Sequence, residues 1–250
     1  MLSTDSKLTE LVNRLKELAA SNLHSVVLYG SAARGDFHQD HSDLNVLVVL
    51  GSVAGPDLRR VSPAVKWWIN DQREPAPLFF TEEELARSSD VFAIELLDIR
   101  DAHRVLYGKD PVAAIKVPMN LHRVELEHEL RTTLLKLRQH FLLAADRPGE
   151  LTAVLIKSTS SVITLFRHVL IAFNEAAPAT RQEIVSRTAA LTGADISALN
   201  IALQLRESPE SGHDITAVYS SYLQTLAKVI AALDHVIPKH EWQRVAKANS

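Results

Sequence analysis

The chain has 250 residues, 46% of them hydrophobic and 23% charged, with 27 basic and 30 acidic side chains and a formal net charge of −3. That length can bury two compact cores, and an even charge balance with no long basic run argues against a nucleic acid polymer as partner, since phosphate contacts need clustered Lys and Arg. There is no cysteine, which excludes thiol catalysis, disulfides and Cys-based zinc sites and fits a reducing compartment.

Leu8, Leu11, Val12, Leu15, Leu18 and Ala19 recur at helical spacing, with Thr4 or Asp5 as the expected cap. The stretch Met1 to Lys16 is polar and periodic and does not read as a signal peptide. No apolar run approaches the roughly 18–20 residues of a membrane span, so the expected setting is the cytoplasm, with no membrane partner. Ser25 to Tyr29 reads as a short β-branched strand ending at Gly30, and Asn45 to Leu50 as an apolar strand covered on both faces. Val61 to Gln72 reads as a helix carrying Trp67 and Trp68, and Pro77 to Phe80 as a short strand. Thr81-Glu82-Glu83-Glu84 resembles a capping box opening the next helix. Phe92 to Ile99 and Arg104 to Tyr107 are apolar segments assigned to the sheet edge.

After Gly108-Lys109-Asp110-Pro111 the character changes, and from about Met119 the pattern is helical almost throughout. Leu126, Leu130, Leu134, Leu137 and Phe141 mark one stripe; Leu223, Leu226, Ile230, Leu233 and Ile237 mark another. Breaks fall at Arg147-Pro148-Gly149, Ala177-Pro178, Thr192-Gly193 and Ser208 to Gly212. The expected fold is α+β: a small mixed-sheet domain over residues 1–115, then an all-α bundle of about five helices over residues 116–250.

The informative stretch is Leu28-Tyr29-Gly30-Ser31-Ala32-Ala33-Arg34-Gly35-Asp36 followed by Ser42-Asp43-Leu44-Asn45-Val46-Leu47. Strand, Gly-Ser turn, helix start and second strand would bring backbone N–H groups and a hydroxyl beside a possible cation site, as a triphosphate requires. Gly30 lets the backbone approach phosphates closely, Ser31 offers a hydroxyl, and Arg34, one turn on, can reach a β- or γ-phosphate. Residues i and i+2 of a strand point the same way, so Asp43 and Asn45 face one cleft together.

This pattern resembles the signature of the nucleotidyltransferase superfamily, in which DNA polymerase β-like and kanamycin nucleotidyltransferase-like folds belong: an apolar residue, Gly, Gly or Ser, a spacer, then Asp-apolar-Asp/Glu-apolar. Here the spacer is the eleven residues Ala32 to Ser42. The resemblance implies that Gly30 and Ser31 are the phosphate-binding pair and that Asp43 is the first metal-binding acid. It puts Asn45 in the place of the second acid; an amide oxygen can coordinate Mg²⁺ or Mn²⁺ but brings no negative charge. The third acid, which serves as general base, is expected on the strand Ala76 to Phe80, which holds no carboxylate, leaving Glu74, Glu95 and Asp98 as stand-ins. The implied activity is transfer of a nucleoside monophosphate from a nucleoside triphosphate to a hydroxyl of a small acceptor, with Mg²⁺ as cofactor. The attached helical part is similar to that of bacterial members that modify aminoglycosides, where it supplies acceptor contacts. The alternative is a degenerate member that binds nucleotide or regulates without turnover.

Other residues have plainer readings. Asp36 is a loop or cap residue, and His38, His41 and Asp43 form a His-x-x-His-x-Asp spacing more in keeping with a solvated loop than with a transition-metal site. Adjacent aromatics point apart on a helix, so at least one of Trp67 and Trp68 is core. Lys157, Ser158 to Ser161, Arg167 and His168 lie on an apolar helix, and Glu125, Glu127, Glu129 and Arg131 form a solvated face with i,i+4 pairs.

Overall fold

A computed structural model describes residues 3–34, 43–113, 115–176, 178, 180–205 and 212–236. The chain divides into two compact units, one ending at Pro118 and the other beginning at Met119.

In the first unit, helix α1 (Thr4–Ala19) starts one residue before the expected cap. Ser3 is the extended N-cap residue, and its hydroxyl accepts from the Ser6 amide, so Thr4 and Asp5 are already helical. The strands are β1 (Leu23–Tyr29), β2 (Asn45–Leu50), β3 (Leu78–Thr81) and β4 (His103–Gly108), and they form one mixed sheet in the order β3-β2-β1-β4. β1 pairs antiparallel with β2 and with β4, while β2 pairs parallel with β3. Between β1 and β2 lies the short helix α2 (Ser31–Arg34). Helix α3 (Gly55–Asn70) begins earlier than expected because Pro56 sits in its first turn, where a missing N–H costs nothing. Helix α4 (Glu82–Arg87) has the expected capping box: Thr81 Oγ1 accepts from the Glu84 amide, and Glu84 Oε2 accepts from the Thr81 amide.

The segment Phe92 to Ile99 is not a sheet edge. It falls largely in helix α5 (Ala93–Asp101), which buries Ala93, Leu96, Leu97 and Ile99 while leaving Glu95 in solvent. A short apolar run fits strand and helix periods alike, and here the three-residue spacing of Ala93, Leu96 and Ile99 prevails. Arg104 to Tyr107 does form the edge, as part of β4.

The alternation of β1 and β2 splits the core in two. Val26, Leu28, Val46 and Val48 face α1 and α3, where Leu11, Leu15 and Trp68 are fully buried. Val27, Leu47 and Val49 face Leu85, Leu96, Ile99, Val112 and Ile115. Of the adjacent pair, Trp68 is core and donates its indole N–H to the Pro75 carbonyl at 2.9 Å, whereas Trp67 is half-buried under the Arg14 guanidinium at 4.4 Å. Gly108 closes β4 with φ +79°, and a Cβ there would meet the His24 carbonyl oxygen at 1.9 Å.

The second unit is helical among the described residues: α6 (Met119–Ala144), α7 (Pro148–Ala172), α8 (Arg181–Thr192), α9 (Ser197–Leu205) and α10 (Ile215–Leu233). Leu126, Leu130, Leu134 and Leu137 of α6 are buried, as are Leu226, Ile230 and Leu233 of α10; Ile237 lies outside the described residues. Phe141 stacks on Tyr219 across the two helices, and the Tyr219 hydroxyl donates to the Leu137 carbonyl at 3.0 Å. Pro148 opens α7, and Gly193, in the left-handed region, closes α8. Glu127 of α6 pairs with Arg123 and Arg131, one turn either side, on the expected charged face.

Contrary to the sequence expectation, α7 is long and apolar enough to cross a membrane by composition, but 56% of its apolar window is buried inside the protein, the pattern of a core helix. Its His168 is fully buried against His122 of α6, with 2.9 Å between ring nitrogens.

Candidate functional site

The turn after β1 is built on Gly30. Its φ of +81° is open to glycine without strain, and a Cβ on it would lie 3.3 Å from the amide nitrogen of Asn45. The missing side chain therefore leaves a cradle directly beside Asn45. The Gly30 N–H is not part of it, because it continues the β1–β4 ladder by donating to the Ala102 carbonyl at 3.0 Å. Its carbonyl accepts from the Ala33 amide at 3.0 Å, which turns the chain into α2. Ser31 and Ala32 open α2, in the first turn, where a helix N–H has no intrahelical partner. The side chains of Ser31 and Arg34 lie outside the described part of the structure, as do Asp36, His38 and His41.

Asn45 opens β2 half-buried, and Asp43 lies two residues before it, exposed. Leu44 between them is buried with the α1 and α3 side of the sheet, so Asp43 and Asn45 are presented away from that cluster. Their frame is fixed from behind. The Leu44 amide donates to Glu74 Oε2 at 3.1 Å, and Glu74 Oε1 is paired with the Lys7 ammonium at 2.7 Å. Lys7 also donates to the Gln72 carbonyl at 3.3 Å. Glu74 thus has both oxygens engaged and a side chain only 10% exposed.

β3 brings no acid to this face. In the parallel β2–β3 register Leu47 pairs with Leu78 and Val49 with Phe80, so the side chains beside the Asn45 face of β2 are apolar. Among the described residues there is no group of three or more His, Asp or Glu side chains placed to hold a metal ion. A broad surface hollow of about 530 Å³, lined by Asp5, Thr9, Glu10, Arg14 and Trp67, includes none of the expected site residues.

Two polar neighbours of Asn45 are not marked by the sequence pattern. Tyr29 is the cross-strand partner of Asn45 on one side and of His103 on the other, so Asn45, Tyr29 and His103 form a row across three strands. The Tyr29 phenol is pushed up to about 12, first by burial and then by the negative charge of Glu95 on α5. It is a neutral donor at any ordinary pH. His103 Nδ1 faces the Arg100 carbonyl at 3.2 Å and Nε2 faces the Asp110 carboxylate at 3.1 Å. Burial favours the neutral form of Asp110, but hydrogen bonds from His103 and from the Val112 and Ala113 amides, with the His103 charge, together hold its carboxyl below the usual range. The signal that could have found this row is strand register, which period alone does not encode.

Residues 8–102, which span β1, β2 and β3 and stop just before β4, match the family model of the nucleotidyltransferase domain. The first unit is a nucleotidyltransferase domain. No curated protein matches the chain at a significant level. Among solved structures, the chain is similar to spectinomycin adenyltransferase AAD(9) from Enterococcus faecialis, determined with ATP and spectinomycin, with a TM-score of 0.53 and 14% identity over 88% of this chain and 98% of that one. At that identity the likeness is one of fold. Gly30, Asp43 and Asn45 all fall within the matched residues.

Proposed function

We propose that the protein binds a nucleoside triphosphate with Mg²⁺ at the Gly30 turn and transfers the nucleoside monophosphate to a hydroxyl of a small molecule in the cytoplasm. The observation that carries this is the cradle at Gly30, open on the side chain of Asn45, which follows Asp43 by two residues. One carboxylate and one amide oxygen, completed by phosphate oxygens and waters, make a donor set that suits a single Mg²⁺, or Mn²⁺, which commonly takes few protein ligands beside a nucleotide. When bound, the ion neutralises phosphate charge and holds the α-phosphoryl group in line. The chain's own part is to position: Asp43 and Asn45 orient the phosphates, the Ser31 and Ala32 amides and the Ser31 hydroxyl bind them, and Arg34 holds the leaving pyrophosphate. ATP is the first triphosphate to test, because the AAD(9) structure of similar fold was determined with ATP and spectinomycin.

A second reading, a nucleotide-binding or regulatory protein without turnover, is favoured by the uncharged Asn45, by Leu78 on β3 and by the engagement of Glu74. The two separate in one experiment: calorimetry with ATP, GTP, CTP and UTP in Mg²⁺, paired with pyrophosphate release over spectinomycin, kanamycin and pooled polyols. Binding in the micromolar to millimolar range with release supports transfer. Binding without release supports the second reading, and no response to any triphosphate removes both.

A further inference from the structure

We propose that Glu74, paired with Lys7, is a positioning residue for the cation site: it fixes the Asp43–Leu44 peptide so that the Asp43 carboxylate is presented beside the Asn45 amide. This rests on the cation-binding part of the reading above and holds with or without turnover.

The β1–β2 ladder shows why such a residue is needed. Its register ends at Tyr29 opposite Asn45, and β2 begins at Asn45, so Asp43 and Leu44 lie beyond the last strand pair. Asn45 is set by the ladder; Asp43 is not. The step between them is held at Leu44, whose side chain is buried with the α1 and α3 cluster and whose N–H donates to Glu74 Oε2 at 3.1 Å. A peptide group is planar, so fixing that N–H also fixes the Asp43 carbonyl and narrows the directions open to the Asp43 side chain.

The segment that carries Glu74 is itself anchored and strained. The Glu74 N–H donates to the Trp68 carbonyl at 3.3 Å, and the Pro75 carbonyl accepts from the indole N–H of the fully buried Trp68 at 2.9 Å. Arg73, just before Glu74, stands at φ +61°, in the left-handed region that favours glycine. A backbone cost of this kind persists where surrounding contacts over-determine it, and such residues cluster at functional sites.

The ion pair makes Glu74 a support and not a ligand. Its side chain is 10% exposed, with Oε1 on the Lys7 ammonium at 2.7 Å, and Lys7 also donates to the Gln72 carbonyl at 3.3 Å. A carboxylate so enclosed is costly without a countercharge, and a charged acceptor holds an N–H about twice as strongly as a neutral one.

The test measures, on the full chain, calorimetric Mn²⁺ affinity in the presence of ATP, urea unfolding, and hydrogen exchange of the Leu44 amide without nucleotide or metal. The variants are Glu74→Ala, Glu74→Gln, Lys7→Met, Asp43→Ala and Leu85→Ala, the last a core truncation in the cluster on the opposite sheet face. Expected for Glu74→Ala is Mn²⁺ affinity lower by about 10- to 100-fold, with a Leu44 amide that exchanges faster than in Leu85→Ala. Glu74→Gln, whose side-chain oxygen can still accept, and Lys7→Met, which leaves the carboxylate, are expected to lose less, about three- to tenfold. Leu85→Ala is expected to lower the urea midpoint while keeping Mn²⁺ affinity within about threefold of wild type. Mn²⁺ affinity unchanged by Glu74→Ala and Lys7→Met, in a protein where Asp43→Ala abolishes it, overturns the assignment and leaves the cation site in place. An equal loss in Leu85→Ala overturns it too, because stability alone then accounts for the effect. Should Glu74→Ala fail to fold, Glu74→Gln and Lys7→Met decide by the same criterion. Wild type that binds ATP without any dependence on Mn²⁺, or Mn²⁺ binding indifferent to Asp43→Ala, overturns the cation site and this proposal with it.

Discussion

Tyr29 and Asn45 sit directly opposite one another across the β1–β2 pair, one residue from the glycine that turns the chain. A half-buried phenol kept neutral and an uncharged amide thus face each other on this stretch of sheet.

Replacing Gly30 tests the shape. Gly30→Ala forces a side chain into φ +81° and against Asn45, at a cost of about 1–2 kcal/mol of backbone strain. Gly30→Val adds bulk in the cradle. Both are expected to abolish the thermal shift produced by ATP and Mg²⁺. An ATP response that survives Gly30→Val moves the site elsewhere.

Charge is tested at Asn45. Asn45→Asp restores an anionic ligand two residues from Asp43 and is expected to tighten Mn²⁺ binding in the presence of ATP by about tenfold or more, read by calorimetry. One electrostatic contact made in the transition state is worth about 3–4 kcal/mol, so turnover should rise as well if the enzyme transfers. Asp43→Ala is expected to remove metal-dependent binding. Metal affinity indifferent to both changes would show that the two residues do not form the cation site.

Glu74 and Lys7 are expected to matter for stability. Glu74→Gln leaves Lys7 facing a neutral amide and weakens the acceptor for the Leu44 N–H, in surroundings where the two side chains are 10% and 19% exposed. A loss of about 1–3 kcal/mol in urea unfolding, followed by tryptophan emission from Trp67 and Trp68, is the expected result. A change within error would mean that solvent replaces the contact.

The pH dependence has two limbs. Asp110 has a folded pKa below its unfolded value, so its contribution is present above the ordinary carboxylate range and is lost as pH falls through the lowered value. The urea midpoint should therefore drop on acidification from pH 6 to pH 3, by less in Asp110→Asn. Burial pushes the Tyr29 and Tyr219 phenols up to about 12 in the folded protein, above the roughly 10 of a free tyrosine. The folded state holds those protons longer, so stability should decline as pH rises from 10 to about 12, with Tyr29→Phe and Tyr219→Phe each relieving part of the decline.

Much of this architecture is readable from local pattern. The Gly30 turn, the Thr81–Glu84 capping box and the leucine stripes of α6 and α10 each state their structure within a few residues. α5 does not, because Phe92 to Ile99 is short and apolar enough to satisfy either period until tertiary packing decides. Still less visible are contacts between distant residues. Lys7 and Glu74 are 67 positions apart, and nothing in either neighbourhood announces the other. The same holds for the row Asn45, Tyr29 and His103, which exists only once three strands have settled into register. For the acids, the sequence shows that β3 lacks one; that Glu74 is tied up takes the knowledge of which of its oxygens are already occupied.

Glu74 grips the amide of Leu44, the single residue between Asp43 and Asn45, and Lys7 of α1 grips Glu74. The two candidate ligands therefore hang from a peptide group whose position is set by the first helix of the chain. Handling of the N-terminus becomes a matter of chemistry as well as of expression. An affinity tag or fusion partner that unwinds the first turns of α1 would be felt at Asp43 and Asn45 through one ammonium and one carboxylate, so a preparation trimmed into α1 is not a fair sample in which to look for activity.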